Sequence, residues 1–317
     1  MRRTIKDYIL VTLKGTGMGA ADVIPGVSGG TIAFITGIYE ELLSSIKNLP
    51  VACKSLISSK FDLRLFWKEV NGNFLLALLL GIGISIVSLA KLMTYLLEHH
   101  PILVWSFFFG LILASVWFVL KDIKKWKLSY CVSLILGIVA GYLITVISPS
   151  ETPDDLWFIF LSGAIAICAM ILPGISGSFI LLLLGKYAYI LAALNRLDVL
   201  VLMVFATGAL IGIISFSHFL SWLLKSYKFL TIAFLAGIMF GSLNKIWPWK
   251  EVVESTTNSH GKLIPLVERN ILPSAYSDIN GSSSLVFYAV IMMMTGFLII
   301  FVMDIVAAKL KKSNETS

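Results

Sequence analysis

Charged side chains are scarce in this sequence: Asp, Glu, Lys and Arg make up 14% of its 317 residues, whereas hydrophobic residues make up 58%. Soluble domains carry about 25% charged and about 45–50% apolar residues. This shortage of charge excludes an ordinary soluble globular protein and indicates an integral membrane protein. Cysteine is also rare, and Cys53, Cys131 and Cys168 match neither the spacing of metal ligands nor a disulfide framework. The sequence therefore predicts no metal centre.

The positive charges are confined largely to short loops. The net charge is +7 at pH 7, but most Lys and Arg residues lie between apolar runs, which argues against nucleic-acid binding. Cytoplasmic loops of membrane proteins are enriched in Lys and Arg. Most of the basic residues fall on one side of the membrane if both termini and residues 47–73, 121–127 and 225–228 are cytoplasmic. The sequence therefore predicts a multi-pass protein with cytoplasmic N- and C-termini.

Long apolar runs account for most of the chain. Six of them are candidate transmembrane helices, because a helix rises about 1.5 Å per residue and must cross about 30 Å of hydrocarbon. They cover residues 74–97, 102–120, 128–148, 199–224, 229–244 and 285–303. Two further apolar runs, residues 15–39 and 156–185, are each interrupted by a Pro-Gly pair. Each of these two is predicted to form a broken helical hairpin, either re-entrant or crossing the membrane twice.

The sequence contains an internal repeat. A shift of 148 residues aligns the two broken runs, including the Pro-Gly pair and the serine that follows it. A shift of 127 residues aligns the next two spans, and the third spans align near Gly141 and Gly296. An odd number of crossings in each half inverts the second half relative to the first, a common plan of secondary transporters. The predicted fold is an all-α polytopic membrane protein of two inverted-topology repeats, each a broken or re-entrant helical hairpin plus three transmembrane helices.

The repeat divides the chain into two predicted halves. Residues 1–149 form the first repeat, which includes residues 47–73 as an insert lying on the membrane surface. Residues 150–317 form the second repeat, which includes an extracytoplasmic loop at residues 245–284. Similar composition of apolar segments is the alternative explanation of the repeat. The matching of Pro, Gly and Ser in register argues against that alternative.

The interruptions define two motifs: P-G-V-S-G-G-T at residues 25–31, the first motif, and P-G-I-S-G-S at residues 173–178, the second motif. Proline ends the preceding helix, and the residues after it suit the start of a new one. A helix start leaves N–H groups unpaired and carries about half a positive charge, so it attracts anions. Two such starts, with serine and threonine hydroxyls beside them, predict a phosphate or carboxylate site. Kinks that allow close helix packing are the alternative.

Three ionisable residues accompany the motifs. Asp22 precedes the first motif and is replaced by Met170 in the second copy; it is a candidate for carrying a coupling proton or for capping the restarted helix. Glu40 follows the first hairpin, and Lys186, near the end of the second apolar run, either neutralises an anion or reaches the membrane interface. No catalytic or metal-binding residue is predicted. The candidate substrate-binding residues are Asp22, Pro25, Gly26, Val27, Ser28, Gly29, Gly30, Thr31, Glu40, Pro173, Gly174, Ile175, Ser176, Gly177, Ser178 and Lys186.

The stretch G-T-G-M-G-A-A-D-V-I-P-G-V-S-G-G-T-I-A-F-I-T-G-I-Y-E at residues 15–40 resembles the signature of the bacterial polyprenyl-phosphate transporter family, formerly a domain of unknown function. The stretch A-M-I-L-P-G-I-S-G-S-F-I-L-L-L-L-G-K-Y at residues 169–187 resembles the same family. The resemblance implies a flippase of the bacterial cytoplasmic membrane that returns undecaprenyl phosphate, the lipid carrier of cell-wall precursors, from the outer to the cytoplasmic leaflet. It implies a lipid-phosphate substrate and no enzymatic activity. No cofactor is predicted; a coupling proton or sodium ion, the lipid chain length and the oligomeric state stay open.

Two other functions stay open at this point. The undecaprenyl-pyrophosphate phosphatase family is also an inverted repeat with re-entrant helices, and its phosphate loop is similar to the first motif but has arginine after the serine. Gly29 and Gly177 occupy that place here, so the charge that would stabilise a transferring phosphoryl group is missing. A small-anion channel or exchanger would use the same helix starts.

Overall fold

A computed structural model of the chain describes residues 4–22, 28–59, 61–121, 123–147, 152–257 and 263–315. The helices are α1 (Ile5–Asp22), α2 (Gly29–Ile35), α3 (Tyr39–Lys47), α4 (Leu49–Ser58), α5 (Leu63–Glu69), α6 (Gly72–His99), α7 (Pro101–Leu120), α8 (Leu128–Val146), α9 (Leu156–Ile171), α10 (Gly177–Leu183), α11 (Tyr187–Arg196), α12 (Val199–Ser226), α13 (Lys228–Ser242), α14 (Pro273–Asn280) and α15 (Val286–Glu315). The strands are β1 (Lys250–Thr257) and β2 (Leu263–Asn270).

Each of the six predicted spans is a helix: α6, α7, α8, α12, α13 and α15. Four segments in the described ranges are by themselves long and apolar enough to cross a membrane. They are Gly72–Leu89, Pro101–Leu120, Leu128–Val146 and Val199–Ser226. The apolar helices α9 and α13 and the segment Val286–Val302 of α15 are shorter. The prediction of an all-α polytopic membrane protein is confirmed for the spans, which satisfy their backbone hydrogen bonds internally as lipid requires.

The loop at residues 245–284 departs from the all-α prediction because it contains a β-hairpin. β1 and β2 pair antiparallel, with Glu251 opposite Arg269 and their charged groups 2.6 Å apart. Opposite charges facing each other across two strands stabilise such a pair. Trp249, just before β1, is buried with Ile102 of α7 and Ala289 of α15, so the hairpin is anchored to the ends of two spans.

The long helices pack as two matching sets of pairs. α1 packs on α6 and α9 packs on α12, while α7 packs on α15 and α13 packs on α8. A Cβ atom at Gly81 would overlap the carbonyl oxygen of Thr12, and one at Gly208 would overlap that of Phe160. These two contacts correspond under the shifts of 127 and 148 residues. The packing therefore repeats in the two halves, through small residues that let helices approach closely. The inversion of the halves and their boundaries stay predictions.

The third spans correspond at a different residue from the one predicted. Gly296 of α15 packs on the carbonyl oxygen of Phe107, and Gly137 of α8 packs on that of Phe234. Phe107 and Phe234 are equivalent under the 127-residue shift, so Gly296 corresponds to Gly137. The expected match with Gly141 was therefore wrong by one helical turn. Both glycines lie on α8, and only their packing partners distinguish them.

The two broken hairpins share one succession of elements. α2 and α10 are each seven residues long and begin 148 positions apart. Each is followed by a glycine with positive φ, Gly37 at 73° and Gly185 at 64°. In the second hairpin, α9 ends before Pro173, α10 restarts at Gly177, and α10 and α11 meet at 105°. Residues 23–27, between the end of α1 and Ser28, lie outside the described ranges.

Candidate functional site

The two motifs, far apart in the sequence, contact each other in the structure. The Ser28 hydroxyl donates to the carbonyl oxygen of Met170 at 2.9 Å, and the Gly174 N–H donates to the hydroxyl oxygen of Thr31 at 2.9 Å. Ser28 and Thr31 are fully buried. Each hydroxyl therefore links the first hairpin to the backbone of the second. The structure thus brings together the two motifs that the paired-site prediction requires to meet.

Most of the predicted site residues lie at this junction. Those that are buried are Ser28, Gly29, Gly30, Thr31, Pro173, Gly174, Ile175, Ser176 and Gly177, and Ser178 is exposed. Three predicted site residues of the first motif lie outside the described residues: Pro25, Gly26 and Val27.

The start of α2 is capped by the protein itself. A carboxylate oxygen of Asp22 accepts a hydrogen bond from the Gly29 N–H at 2.7 Å. The Ser28 hydroxyl oxygen accepts from the Gly30 N–H at 3.0 Å, as a serine at this position commonly does. Of the two roles considered for Asp22, this conformation has the capping role. The negative charge that a helix start attracts is here supplied by the chain.

The start of α10 is different, because no side chain caps it. Met170 stands at the position of Asp22, and Ser176, at the position of Ser28, makes no hydrogen bond to the helix backbone. Instead its hydroxyl lies 2.7 Å from that of Ser178. Gly174 has a φ of 88°, which favours glycine, and a side chain there would overlap the Ser242 hydroxyl. The second motif therefore presents two hydroxyls that are not used for capping.

One small cavity adjoins the second motif, and a larger cavity lies beyond it. The smaller has a volume of about 10 Å³, room for roughly one water molecule, and is lined by Gly174 and Ser176 among others. The larger has a volume of about 340 Å³ and lies beside α8, α10 and the β-hairpin. Thr145, Phe179 and Lys245 line both cavities. The second motif is thus separated from the larger cavity by these side chains.

Glu40 and Lys186 have partners outside the motifs. Glu40 is exposed and lies 3.5 Å from the amine of Lys228. Lys186 is only 2% exposed, and its amine donates to the Asp154 carboxylate and to the carbonyl oxygen of Thr152. A buried ammonium requires such a counter-charge. The charge of Lys186 is therefore already balanced in this conformation.

Sequence reasoning missed several residues of this region. The Tyr39 hydroxyl donates to the carbonyl oxygen of Ile171 at 3.0 Å, a third link between the hairpins that was not predicted from the sequence. Lys245, Lys250 and Glu268 come from the loop to which no role was assigned. The sequence offered one indication of a role for Lys245, its position immediately after the apolar span at residues 229–244.

The described ranges contain no group of three or more His, Cys, Asp or Glu side chains that could hold a metal ion. The polar groups at the junction are hydroxyls, backbone N–H groups and one carboxylate. Hydroxyls and N–H groups suit an anion, since they donate hydrogen bonds to it.

Comparison with known proteins identifies relatives of this chain. Residues 18–264 match the family described as undecaprenyl phosphate translocase-like. The chain belongs to this family. The matched residues include both motifs, and the resemblance inferred from residues 15–40 and 169–187 is confirmed.

Two relatives extend the match. The chain is 47% identical to the polyprenyl-phosphate transporter of Vibrio cholerae serotype O1 over 303 residues, which are 96% of this chain and 98% of that protein. It is 33% identical to the polyprenyl-phosphate transporter of Staphylococcus aureus over 255 residues, which are 74% of this chain and 85% of that protein. No solved structure gave a significant match.

Proposed function

We propose that this protein transports a polyprenyl phosphate across the bacterial cytoplasmic membrane, with both termini in the cytoplasm. In this proposal it returns undecaprenyl phosphate from the outer to the cytoplasmic leaflet. The names of the two relatives support the substrate class. The observation that carries the proposal is that two equivalent motifs from distant parts of the chain meet in the core and are joined there by hydrogen bonds.

The phosphate is held between the two motifs. Ser28 and Thr31 contribute from the first hairpin, and Ser176 and Ser178 contribute from the second. Hydroxyl and N–H donors form strong hydrogen bonds with phosphate oxygens. The apolar chain of the lipid stays in the bilayer, and alternating movement of the two halves carries the phosphate from one side to the other.

Asp22 supplies a link to a coupling ion. The Asp22 carboxylate accepts the hydrogen bond from the Gly29 N–H that a phosphate at the start of α2 would also accept. Two anions in one site repel each other. The phosphate therefore reaches α2 only when the Asp22 carboxylate moves away or takes up a proton. Proton uptake at Asp22 couples transport to protons in this proposal; dependence of the transport rate on a sodium gradient alone would contradict it.

The experiment is transport in proteoliposomes by the full-length protein. A fluorescent polyprenyl phosphate is followed as it becomes accessible to a membrane-impermeant quencher. We expect the double variant S176A/S178A to lower the rate at least tenfold, because it removes two hydroxyls that bond to each other and not to the helix backbone, without adding volume. S162A is the matched control, since the Ser162 hydroxyl bonds only within α9, to the Phe158 carbonyl. A double variant with the wild-type rate would overturn the proposed site.

The same protein distinguishes the alternatives. We expect no release of inorganic phosphate from undecaprenyl pyrophosphate and no chloride flux in the same liposomes. Phosphate release would favour the phosphatase, and chloride flux would favour a small-anion channel or exchanger.

A further inference from the structure

The larger cavity has two chemically different walls. One wall is charged and polar, with Lys245, Lys250 and Glu268 at its centre. The other is apolar and includes Val146, the last residue of α8, and Ile147, which follows it; both side chains are exposed. A cavity of this kind suits a ligand with an anionic head and an apolar chain.

The charges on the polar wall are unequal. The amines of Lys245 and Lys250 lie 3.3 Å and 3.2 Å from the same oxygen of Glu268. These side chains are 22%, 8% and 21% exposed, respectively. Arg269 is paired separately with Glu251. Two ammonium groups thus contact one carboxylate, and the side chains that line the cavity include three basic groups, Lys245, Lys250 and Arg269, and one acidic group, Glu268.

The electrostatics of the cluster favour a second anion. Burial, together with the neighbouring Lys245 charge, lowers the pKa of Lys250 although Glu268 acts in the opposite direction. Burial alone would raise the pKa of Glu268, but the two lysines outweigh it and hold that pKa below its usual range. Glu268 is therefore ionised, and both amines contact its carboxylate. An anion that enters the cavity meets more basic than acidic side chains, and the lysine amines can donate charge-assisted hydrogen bonds to it.

The cluster of Lys245, Lys250 and Glu268 lies between the larger cavity and the small cavity at the second motif, because Lys245 lines both cavities. The Lys245 amine is 4.9 Å from the centre of the Phe179 ring, and Phe179 follows Ser176 by three residues on α10. Both side chains line the small cavity that also contacts Ser176. Only about 10 Å³ of space lies there, too little for a phosphate group. Phe179 and Lys245 therefore close the passage in this conformation.

We propose that Lys245 and Lys250, held in place by Glu268, form a loading site for the phosphate monoester of an isoprenoid lipid. The lipid occupies this site before its phosphate passes Phe179 and reaches Ser176. Val146 and Ile147 give its apolar chain an exit along α8 into the bilayer. Glu268 keeps the two ammonium groups together when the site is empty, and its charge weakens the bound state. The order of the two sites rests on the proposed function; the binding of the phosphate monoester does not.

The test measures binding of farnesyl phosphate to the purified full-length protein in nanodiscs. We expect K245Q/K250Q to weaken binding at least tenfold and K245R/K250R to retain it. K124Q/K125Q is the matched control, because both lysines are exposed in the α7–α8 loop, at the opposite end of α8 from the cavity. We expect E268Q to tighten binding several-fold, since it removes the competing carboxylate.

The outcomes separate the sources of phosphate. Farnesol has the apolar chain without the phosphate, and inorganic phosphate has the anion without the chain. We expect both to bind at least tenfold more weakly than farnesyl phosphate. Inorganic phosphate binding as tightly as farnesyl phosphate would overturn the assignment to a lipid. Because K245Q/K250Q leaves Glu268 without its partners, the triple variant K245Q/K250Q/E268Q is measured as well. Wild-type affinity in that triple variant would overturn the loading site.

Transport separates this inference from the proposed function. We expect K245Q/K250Q to slow transport at low lipid density and to approach the wild-type rate at saturating density, as loss of a loading site raises KM more than it lowers kcat. A wild-type protein that binds farnesyl phosphate but moves no lipid would contradict the proposed function and leave the binding site standing. Full transport with no binding at the cluster would contradict only the loading site.

Discussion

The first and second hairpins have closely matching elements, yet their helix starts are in different states. Asp22 and Ser28 cap the start of α2, so the N–H groups of Gly29 and Gly30 are bonded to the protein's own side chains. At the start of α10, Met170 replaces the carboxylate, Ser176 does not cap, and one small cavity adjoins the motif. The difference lies in side chains and not in the succession of elements. A repeat can therefore be symmetric in its scaffold and unequal in how its helix starts are capped. The alternating access that we propose would use this inequality.

The largest effect is expected from removing the carboxylate that seals the first hairpin. Asp22→Ala leaves the buried Gly29 N–H without its acceptor, which should lower the free energy of unfolding by about 1–3 kcal/mol. Transport should fall at least tenfold. Asp22→Asn keeps an acceptor oxygen but cannot carry the proton, so it should restore stability and not transport. Denaturation in detergent and proteoliposome transport measure the two quantities. An alanine variant as stable and as active as the wild type would contradict the role of Asp22.

The second-largest effect is expected from replacing the equivalent serines of the two motifs, Ser28 and Ser176, by alanine. Ser28→Ala removes a helix cap and should lower the free energy of unfolding by about 1–2 kcal/mol. Ser176→Ala removes no cap and should change stability by less than about 0.5 kcal/mol, a value typical of sites without such a feature, while it slows transport. Equal losses of stability in the two variants would show that the helix starts are alike.

The smallest effect compares the tyrosines that begin α3 and α11. Tyr39 is 2% exposed and bonds to Ile171, whereas Tyr187 is 38% exposed. Tyr39→Phe should lower the free energy of unfolding by about 0.5–1.5 kcal/mol, the usual contribution of one hydrogen bond. Tyr187→Phe serves as the internal control and should have no measurable effect. The reverse order would contradict the asymmetry between the hairpins.

Much of the fold could be predicted from the sequence because lipid imposes a simple rule. A backbone in hydrocarbon must satisfy its own hydrogen bonds, so uncharged runs such as residues 102–120 become helices. The Pro-Gly pairs marked the breaks, and the register of the repeat predicted that the motifs would meet. These signals are local, or they come from positions that tolerate few residue types. Gly174, with its φ of 88°, is such a position, because this backbone conformation favours glycine.

The remaining features depend on contacts between segments that the sequence does not link. The β-hairpin of β1 and β2 has mixed polar and charged residues and lacks a regular alternation. Lys186 looked available for a phosphate because its partner Asp154 lies in a loop without a motif. The loading site likewise needs Lys245, Lys250 and Glu268 from separate positions of one loop. Because these three residues are far from Ser176 in the sequence, their proximity to it in the fold could not be predicted.

The most direct test of the central claim is an experimental structure of the full-length protein in nanodiscs with undecaprenyl phosphate. The measured quantity is the position of the phosphate. We predict phosphate density within hydrogen-bonding distance of Ser176 or Ser178, with the Asp22 carboxylate displaced from Gly29 whenever the phosphate also contacts the first motif. A well-defined phosphate bound away from both motifs, with Asp22 and the Ser176–Ser178 pair unchanged, would contradict the account.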